Sequence, residues 1–226
     1  MKNFSVVLFV FCLACAQAQE VKPIKLFPPQ TEIGKPLMQA LQLRQSNRNF
    51  DTKPIPLQEL SNLLWAAAGI NRPESGKRTT PSAMNRQEVD VYAFLAEGTF
   101  LYNAKSHTLE PIAGKDLRPI ANPKPPEKKG DAAPPRMQPG LANAPLILVF
   151  IADEKKLEGA GDIQKIQYSS AAAGFMIQNV YLYCASQGLI SVVRASFDGA
   201  AITKELQLRP EQRVVLVQSV GYPQTK

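Results

Sequence analysis

Arg44, Ser46 and Arg48 stand at alternate positions in the stretch Arg44-Gln45-Ser46-Asn47-Arg48-Asn49-Phe50. Guanidiniums are planar bidentate donors, and a serine hydroxyl adds a short third one, so the set suits a phosphate monoester. A second stretch, Thr80-Pro81-Ser82-Ala83-Met84-Asn85-Arg86-Gln87, packs a proline, a hydroxyl and two amides into one turn. Groups of this kind read the edge of a flat heterocycle without adding charge. Together the two stretches point to a phosphorylated ring cofactor. Each residue also has a plainer reading. Arg44 and Arg48 suit a solvated helix end, Ser82 a helix N-cap, and Asn85 and Gln87 a turn.

Other chemistries find little support. The chain has one histidine, His107, in a hairpin-like stretch from Tyr102 to Pro111 that reads as surface. Zinc sites and Ser/His or Cys/His catalysis therefore lack their partners, and no metal is expected. Of three cysteines, Cys12 and Cys15 lie in a segment that reads as a removable leader, so their redox-like spacing is coincidental. Cys184 falls in an apolar helical pattern and reads as a buried small hydrophobe. The formal net charge is +7. Basic residues are interleaved with acids, and no Lys/Arg run alternates with aromatics, so nucleic acid is not an expected partner.

The elements that must hold these groups follow from the patterning. Met1-Lys2-Asn3, an apolar run from Phe4 to Ala16 and the small-x-small site Ala16-Gln17-Ala18 make residues 1–18 a signal peptide. A secreted or periplasmic protein is the expectation, with a lipid on Cys15 as the lesser alternative. The apolar run is shorter than the roughly 20 residues a spanning helix needs, and no later segment matches that length, so no integral membrane segment is expected. Residues 19–35 read as an extended arm without a core face, and residues 36–226 as one domain. Leu37, Met38 and Leu41 share one side of a short helix that would deliver Arg44, Ser46 and Arg48 at its exit. Pro56 opens a second helix with a stripe from Leu57 to Ala68 and a stop at Gly69.

Three strands then follow within residues 89–112, the Pro-rich surface loop spans 121–140, and Leu146 to Ile151 is a strand buried on both faces. The pattern from Asp162 to Gln187 is a long helix that should be central and packed on most sides. Strands at Leu189 to Arg194 and Arg213 to Val220 complete an α+β fold, a mostly antiparallel sheet packed against a buried helix and flanking helices.

The order of Arg-x-Ser-x-Arg-x-Phe at 44–50, Leu-Leu-Trp-Ala-Ala-x-Gly at 63–69 and Pro-Ser-Ala-x-Asn-x-Gln at 81–87 resembles the flavin-dependent nitroreductase superfamily. Ala173-Gly174, Gln178-Asn179, Gln187-Gly188-Leu189, Ser191-Val192-Val193 and Val220-Gly221-Tyr222-Pro223 extend the likeness over about residues 36 to 223. The stretch from Asn71 to Thr79 resembles the branch of SagB-type and thiazoline-oxidising dehydrogenases. The resemblance implies FMN, an intertwined homodimer and two flavin sites at the subunit interface. Arg44, Ser46 and Arg48 would hold the phosphate and ribityl chain, while Pro81, Ser82, Ala83, Asn85 and Gln87 would line the isoalloxazine from the other subunit. Val193, Arg194, Ala195 and Ser196 would cover one flavin face, with the Ser196 amide near N5.

Two departures stand out. Many members carry Glu-Gly where this chain has Ala195-Ser196, and many continue past Gly-Tyr-Pro with basic residues where this sequence stops at Lys226. Phosphate binding is expected to rest more heavily on Arg44 and Arg48. The implied activity is ping-pong hydride transfer between a small-molecule donor, NAD(P)H or another, and an electron-poor acceptor such as a nitroaromatic, quinone or enone. A secreted flavin- or nucleotide-binding protein of the same fold without turnover is the alternative.

Overall fold

Leu146 to Ile151 is apolar at every position because both faces of its strand are covered. A computed structural model describes residues 21–122 and 139–225. Residues 1–18, expected to be a signal peptide, and most of the stretch 121–140, expected to be a surface loop, lie outside them. Among the described residues there are nine strands: β1 (Ile24–Lys25), β2 (Ile70–Arg72), β3 (Lys77–Arg78), β4 (Val89–Leu95), β5 (Gly98–Asn103), β6 (Thr108–Ala113), β7 (Leu146–Asp153), β8 (Ile190–Arg194) and β9 (Gln212–Gly221). Five α-helices accompany them: α1 (Leu37–Leu43), α2 (Leu57–Ala68), α3 (Arg118–Ala121), α4 (Asp162–Gln187) and α5 (Gly199–Glu205). Seven strands form one sheet in the order β1-β6-β5-β4-β7-β9-β8. Every pairing in it is antiparallel. β2 and β3 form a separate small hairpin.

β7 lies between β4 and β9, where side chains alternate between two cores. Leu146, Leu148 and Phe150 pack with α2 and α4, while Ile147, Val149 and Ile151 pack with Leu117, Ala121 and Ile202 from the α3 and α5 side. The fold is thus the expected antiparallel sheet with helices, arranged as a layer on each face. α2 buries Leu60, Leu63, Leu64, Ala67 and Ala68 and closes on the Gly69 amide, which donates to the Trp65 carbonyl at 2.7 Å.

Three expectations need correction. The arm has a core face: β1 adds to the sheet edge beside β6, and Leu26 is buried in the main core. Its backbone is also tied to α2, where Phe27 N donates to Ser61 Oγ at 3.0 Å and Gln30 N to Asn62 Oδ1 at 2.9 Å. His107 is a half-buried structural residue holding that arm, with Nε2 2.9 Å from the Phe27 carbonyl and Nδ1 2.9 Å from Tyr102 Oη. A carbonyl only accepts, so Nε2 carries the proton and Nδ1 accepts the phenol. Burial lowers the pKa of His107, with the Phe27 carbonyl acting in the opposite direction.

The third correction concerns the helices. The α1 side carrying Leu37, Met38 and Leu41 faces outward, and Ala40 is the residue of that helix buried in this chain. α4 is packed on one side, by Ala172, Ala173, Met176, Ile177 and Val180, but its other side presents Ile163, Ile166, Ser170, Ala171 and Phe175 to the outside. Ile163 is 74% exposed. Gly174 lies in that outward arc, and a Cβ added there would meet nothing within 4 Å. A mid-helix glycine costs about 1 kcal/mol relative to alanine, and nothing within this chain requires one.

Candidate functional site

The segment after α1 is held against the free edge of β8. Ser46 forms a parallel bridge with Ser191, and Asn47 N donates to the Ser191 carbonyl at 3.0 Å. Phe50, fully buried, anchors the far end in a small cluster with Ala144 and Val192. Arg44, Ser46 and Arg48 therefore belong to a segment that runs along the edge of β8, the strand that carries Val193 and Arg194.

Tyr181 of α4 joins them and was missed in the sequence. Its Oη lies 2.9 Å from Ser46 Oγ and accepts from Val193 N at 2.8 Å, while the Arg44 guanidinium sits 5.4 Å from its ring centre. A signal was present, since a tyrosine in an apolar helix must find a partner for its hydroxyl. Which partner depends on the strand packed beside it.

The charge in this region is one-sided. Among the described residues neither Arg44 nor Arg48 has an ion pair or side-chain hydrogen bond; the ion pairs lie elsewhere. The Arg194 side chain ties the end of β8 to the chain after α3, donating to the Ala121 carbonyl at 2.8 Å and to Asn122 Oδ1, and it also reaches the Ser196 carbonyl at 3.1 Å. Its buried Nε has no partner among the described residues. Burial, and next the like charge of Arg48, lower the Arg194 pKa to about 10. Arg194 and Arg48 are thus like charges near one another, with no ion pair to either among the described residues. Ala195 and Ser196 are exposed in the turn after β8, and the Ser196 amide donates to no described residue.

Pro81 to Gln87 form a separate, tightly wound loop before β4. Met84, Asn85 and Gln87 have φ of 50°, 54° and 50°. Asparagine tolerates this left-handed region, but the other two are strained by about 1–3 kcal/mol each and persist only where surroundings fix them. The fixing contacts are present. Ser82 Oγ closes the loop by accepting from Gln87 N at 2.9 Å, in place of the N-cap role it also suited. The Gln87 amide donates to the Gly76 carbonyl at 2.8 Å, and Arg86 reaches the Lys156 and Glu158 carbonyls at 3.1 and 2.7 Å. Gln87 thus spends its donor inside the loop. Pro81, Met84 and Asn85 point outward, and Ala83 is half-buried.

Among the described residues no hydrogen bond or ion pair joins the two halves of the predicted site, and the strands that carry them, β4 and β8, are separated by β7 and β9, three strand steps of about 4.8 Å. Cavities next to each half are shallow. One of about 320 Å³ lies between Gln45, Tyr181, Cys184 and Ser191, and another of about 420 Å³ lies behind the loop, lined by Arg78, Gln87 and Asp90.

Cys184 is no nucleophile. It is fully buried, and desolvation pushes its thiol up to about 12. Iodoacetamide at pH 8 is expected to leave Cys184 unmodified in the folded protein and to alkylate it in guanidinium; mass spectrometry reads the difference. Among the described residues, no group of three or more His, Cys, Asp or Glu side chains is placed to hold a metal, and no helix is long and apolar enough to cross a membrane.

Residues 41–222 match the profile of the nitroreductase family. A protein of Ralstonia eutropha JMP134, whose crystal structure is described as that of a candidate nitroreductase, is 36% identical and superposes with a TM-score of 0.81, covering 91% of each chain. A candidate nitroreductase of Methanocaldococcus jannaschii is 27% identical over 172 residues, 74% of this chain and 81% of that one. The Escherichia coli microcin synthetase McbBCD, solved with a truncated pro-MccB17, shares the fold at a TM-score of 0.64 and 20% identity, over 99% of this chain and 85% of its own.

Proposed function

This chain belongs to the nitroreductase family, and from that premise we propose that it is an FMN-dependent oxidoreductase acting as a homodimer. The observation that carries the cofactor reading is the cluster of Arg44, Ser46, Arg48 and Arg194, with no carboxylate paired to Arg44 or Arg48 and one buried guanidinium nitrogen left without a partner. Such a donor set fits a phosphate monoester. Arg44 and Arg48 bind the phosphate, and Ser46 adds the short neutral donor. The backbone from Val193 to Ser196 would cover the ring, and the unused Ser196 amide would supply a donor to the edge that gains negative charge. FMN, when bound, supplies hydride acceptance from a donor and hydride delivery to an acceptor in two separate half-reactions. No side-chain nucleophile is required, which suits a chain with one structural histidine and an inert thiol.

Two observations support a second copy. The loop with Pro81, Ser82, Ala83, Asn85 and Gln87 makes no hydrogen bond or ion pair with the arginine cluster of its own chain among the described residues and is carried by a strand three steps away, which favours a site completed by the loop of a partner. The outward arcs of α1 and α4 leave Leu37, Met38, Ile163, Ile166 and Phe175 exposed around small residues at Ser170, Ala171 and Gly174. Exposed apolar surface of that extent, with a glycine unused by its own chain, suits close helix packing between copies.

The acceptor is an electron-poor small molecule, a nitroaromatic, quinone or enone. The donor is NAD(P)H or, if the leader at 1–18 exports the protein to the periplasm or beyond, a small molecule available there. The test is direct. The purified protein is expected to show a flavin spectrum, to release FMN on denaturation, to bleach anaerobically with NADH, NADPH or another small hydride donor, and to recover its colour with a nitroaromatic or quinone. A colourless protein that takes up no added FMN overturns the reading. Bound FMN that no donor reduces would favour a flavin-binding protein without turnover.

A further inference from the structure

Tyr181 is buried, yet its hydroxyl reaches two groups of the arginine cluster. β8 is an edge strand, so alternate backbone groups point away from the sheet. The Ser46–Asn47 segment covers the first of them, with Asn47 N donating to the Ser191 carbonyl. The next outward amide, Val193 N, is taken by Tyr181 Oη at 2.8 Å. An amide only donates, so the phenol oxygen accepts there. Its own proton then needs an acceptor, and the one within reach among the described residues is Ser46 Oγ at 2.9 Å. The opposite arrangement, serine donating to phenol, leaves the phenolic proton without a partner. Ser46, having accepted from Tyr181, keeps its own hydrogen free to donate, and it is exposed between Arg44 and Arg48 in the chain. The Arg44 guanidinium lies 5.4 Å from the centre of the Tyr181 ring, a cation–π contact that holds the ring beside the cluster.

We infer that Tyr181 is a positioning residue: the chain Val193 N–H to Tyr181 O–H to Ser46 O–H is polarised in one direction and aims the Ser46 proton at an anionic oxygen. Hydrogen bonds in such a row strengthen one another. The inference rests on the reading of this cluster as the FMN phosphate cradle.

The test compares FMN with riboflavin, which has the same ring and no phosphate. Both are titrated by flavin fluorescence into flavin-free full-length protein, as wild type, Tyr181→Phe, Ser46→Ala and the double variant. Wild type should prefer FMN. Tyr181→Phe should weaken FMN by about tenfold to a hundredfold while riboflavin binding changes little, because Ser46 is then no longer held to donate its charge-assisted bond to the phosphate. Ser46→Ala should give the same phosphate-specific loss, and the double variant should be no worse than Ser46→Ala. If Tyr181→Phe weakens both flavins equally, or neither, or if the two losses add, Tyr181 is merely structural and the inference fails. Should Tyr181→Phe not fold, Ser46→Ala decides alone: an unchanged ratio of FMN to riboflavin affinity overturns the inference. A wild type that binds riboflavin as tightly as FMN removes the phosphate reading itself.

Discussion

Replacing Arg44 and Arg48 together by alanine is expected to strip FMN from the protein while leaving it folded. Hydrogen bonds to charged groups contribute about 1.5–3 kcal/mol each, so losing two guanidiniums from one phosphate costs about 3–6 kcal/mol, a factor of roughly 10² to 10⁴ in affinity. The fold should barely register the change. Neither side chain has an ion pair or hydrogen bond among the described residues, and Arg44 loses only its contact with the Tyr181 ring. Removing Arg48 also relieves the like charge that depresses Arg194. The measurements are flavin content after gel filtration and the melting temperature of flavin-free protein. Retained FMN would refute the phosphate assignment, whereas a collapse in melting temperature would show that the arginines are structural. Arg48→Lys makes a useful companion, because lysine keeps the charge and loses the bidentate geometry, so an intermediate loss is expected.

The second large effect is expected at Gly174. Arginine there should split the proposed dimer while leaving the single chain intact. Space is open at that position within one chain, and arginine favours helix over glycine by most of 1 kcal/mol. In a helix-to-helix contact between copies, the same side chain would force the helices apart or bury an unpaired charge. That costs about 4 kcal/mol or more, a weakening of association on the order of a thousandfold. Light scattering coupled to gel filtration should show a dimer for wild type and a monomer for Gly174→Arg. Flavin should be lost with the dimer, because the loop from Pro81 to Gln87 then has no arginine cluster to face. A variant that stays dimeric and yellow would place the interface elsewhere.

The elements were legible where one local rule dominated. Leu60, Leu63, Leu64 and Ala67 recur at helical spacing between Pro56 and Gly69, and α2 lies there. The unbroken apolar run of β7 implied cover on both faces, as the two cores flanking it bear out. The place of Arg44, Ser46 and Arg48 just after α1 was readable because Leu37, Met38 and Leu41 recur at helical spacing before them. α4 misled because an apolar circumference looks the same whether its cover comes from the same chain or another. Sequence periodicity reports that a face is to be buried and says nothing of what covers it.

By itself, then, the sequence determined the antiparallel sheet with its helices and the donor chemistry of two short stretches, since both follow from local spacing and side-chain type. The tertiary structure alone decided that Leu26 and His107 dock the arm, that Tyr181 meets Ser46 and Val193, and that the strands carrying the two stretches are not neighbours in the sheet. Those facts depend on strand order and register, which arise from contacts between residues distant in the chain, and no local pattern encodes such a distance.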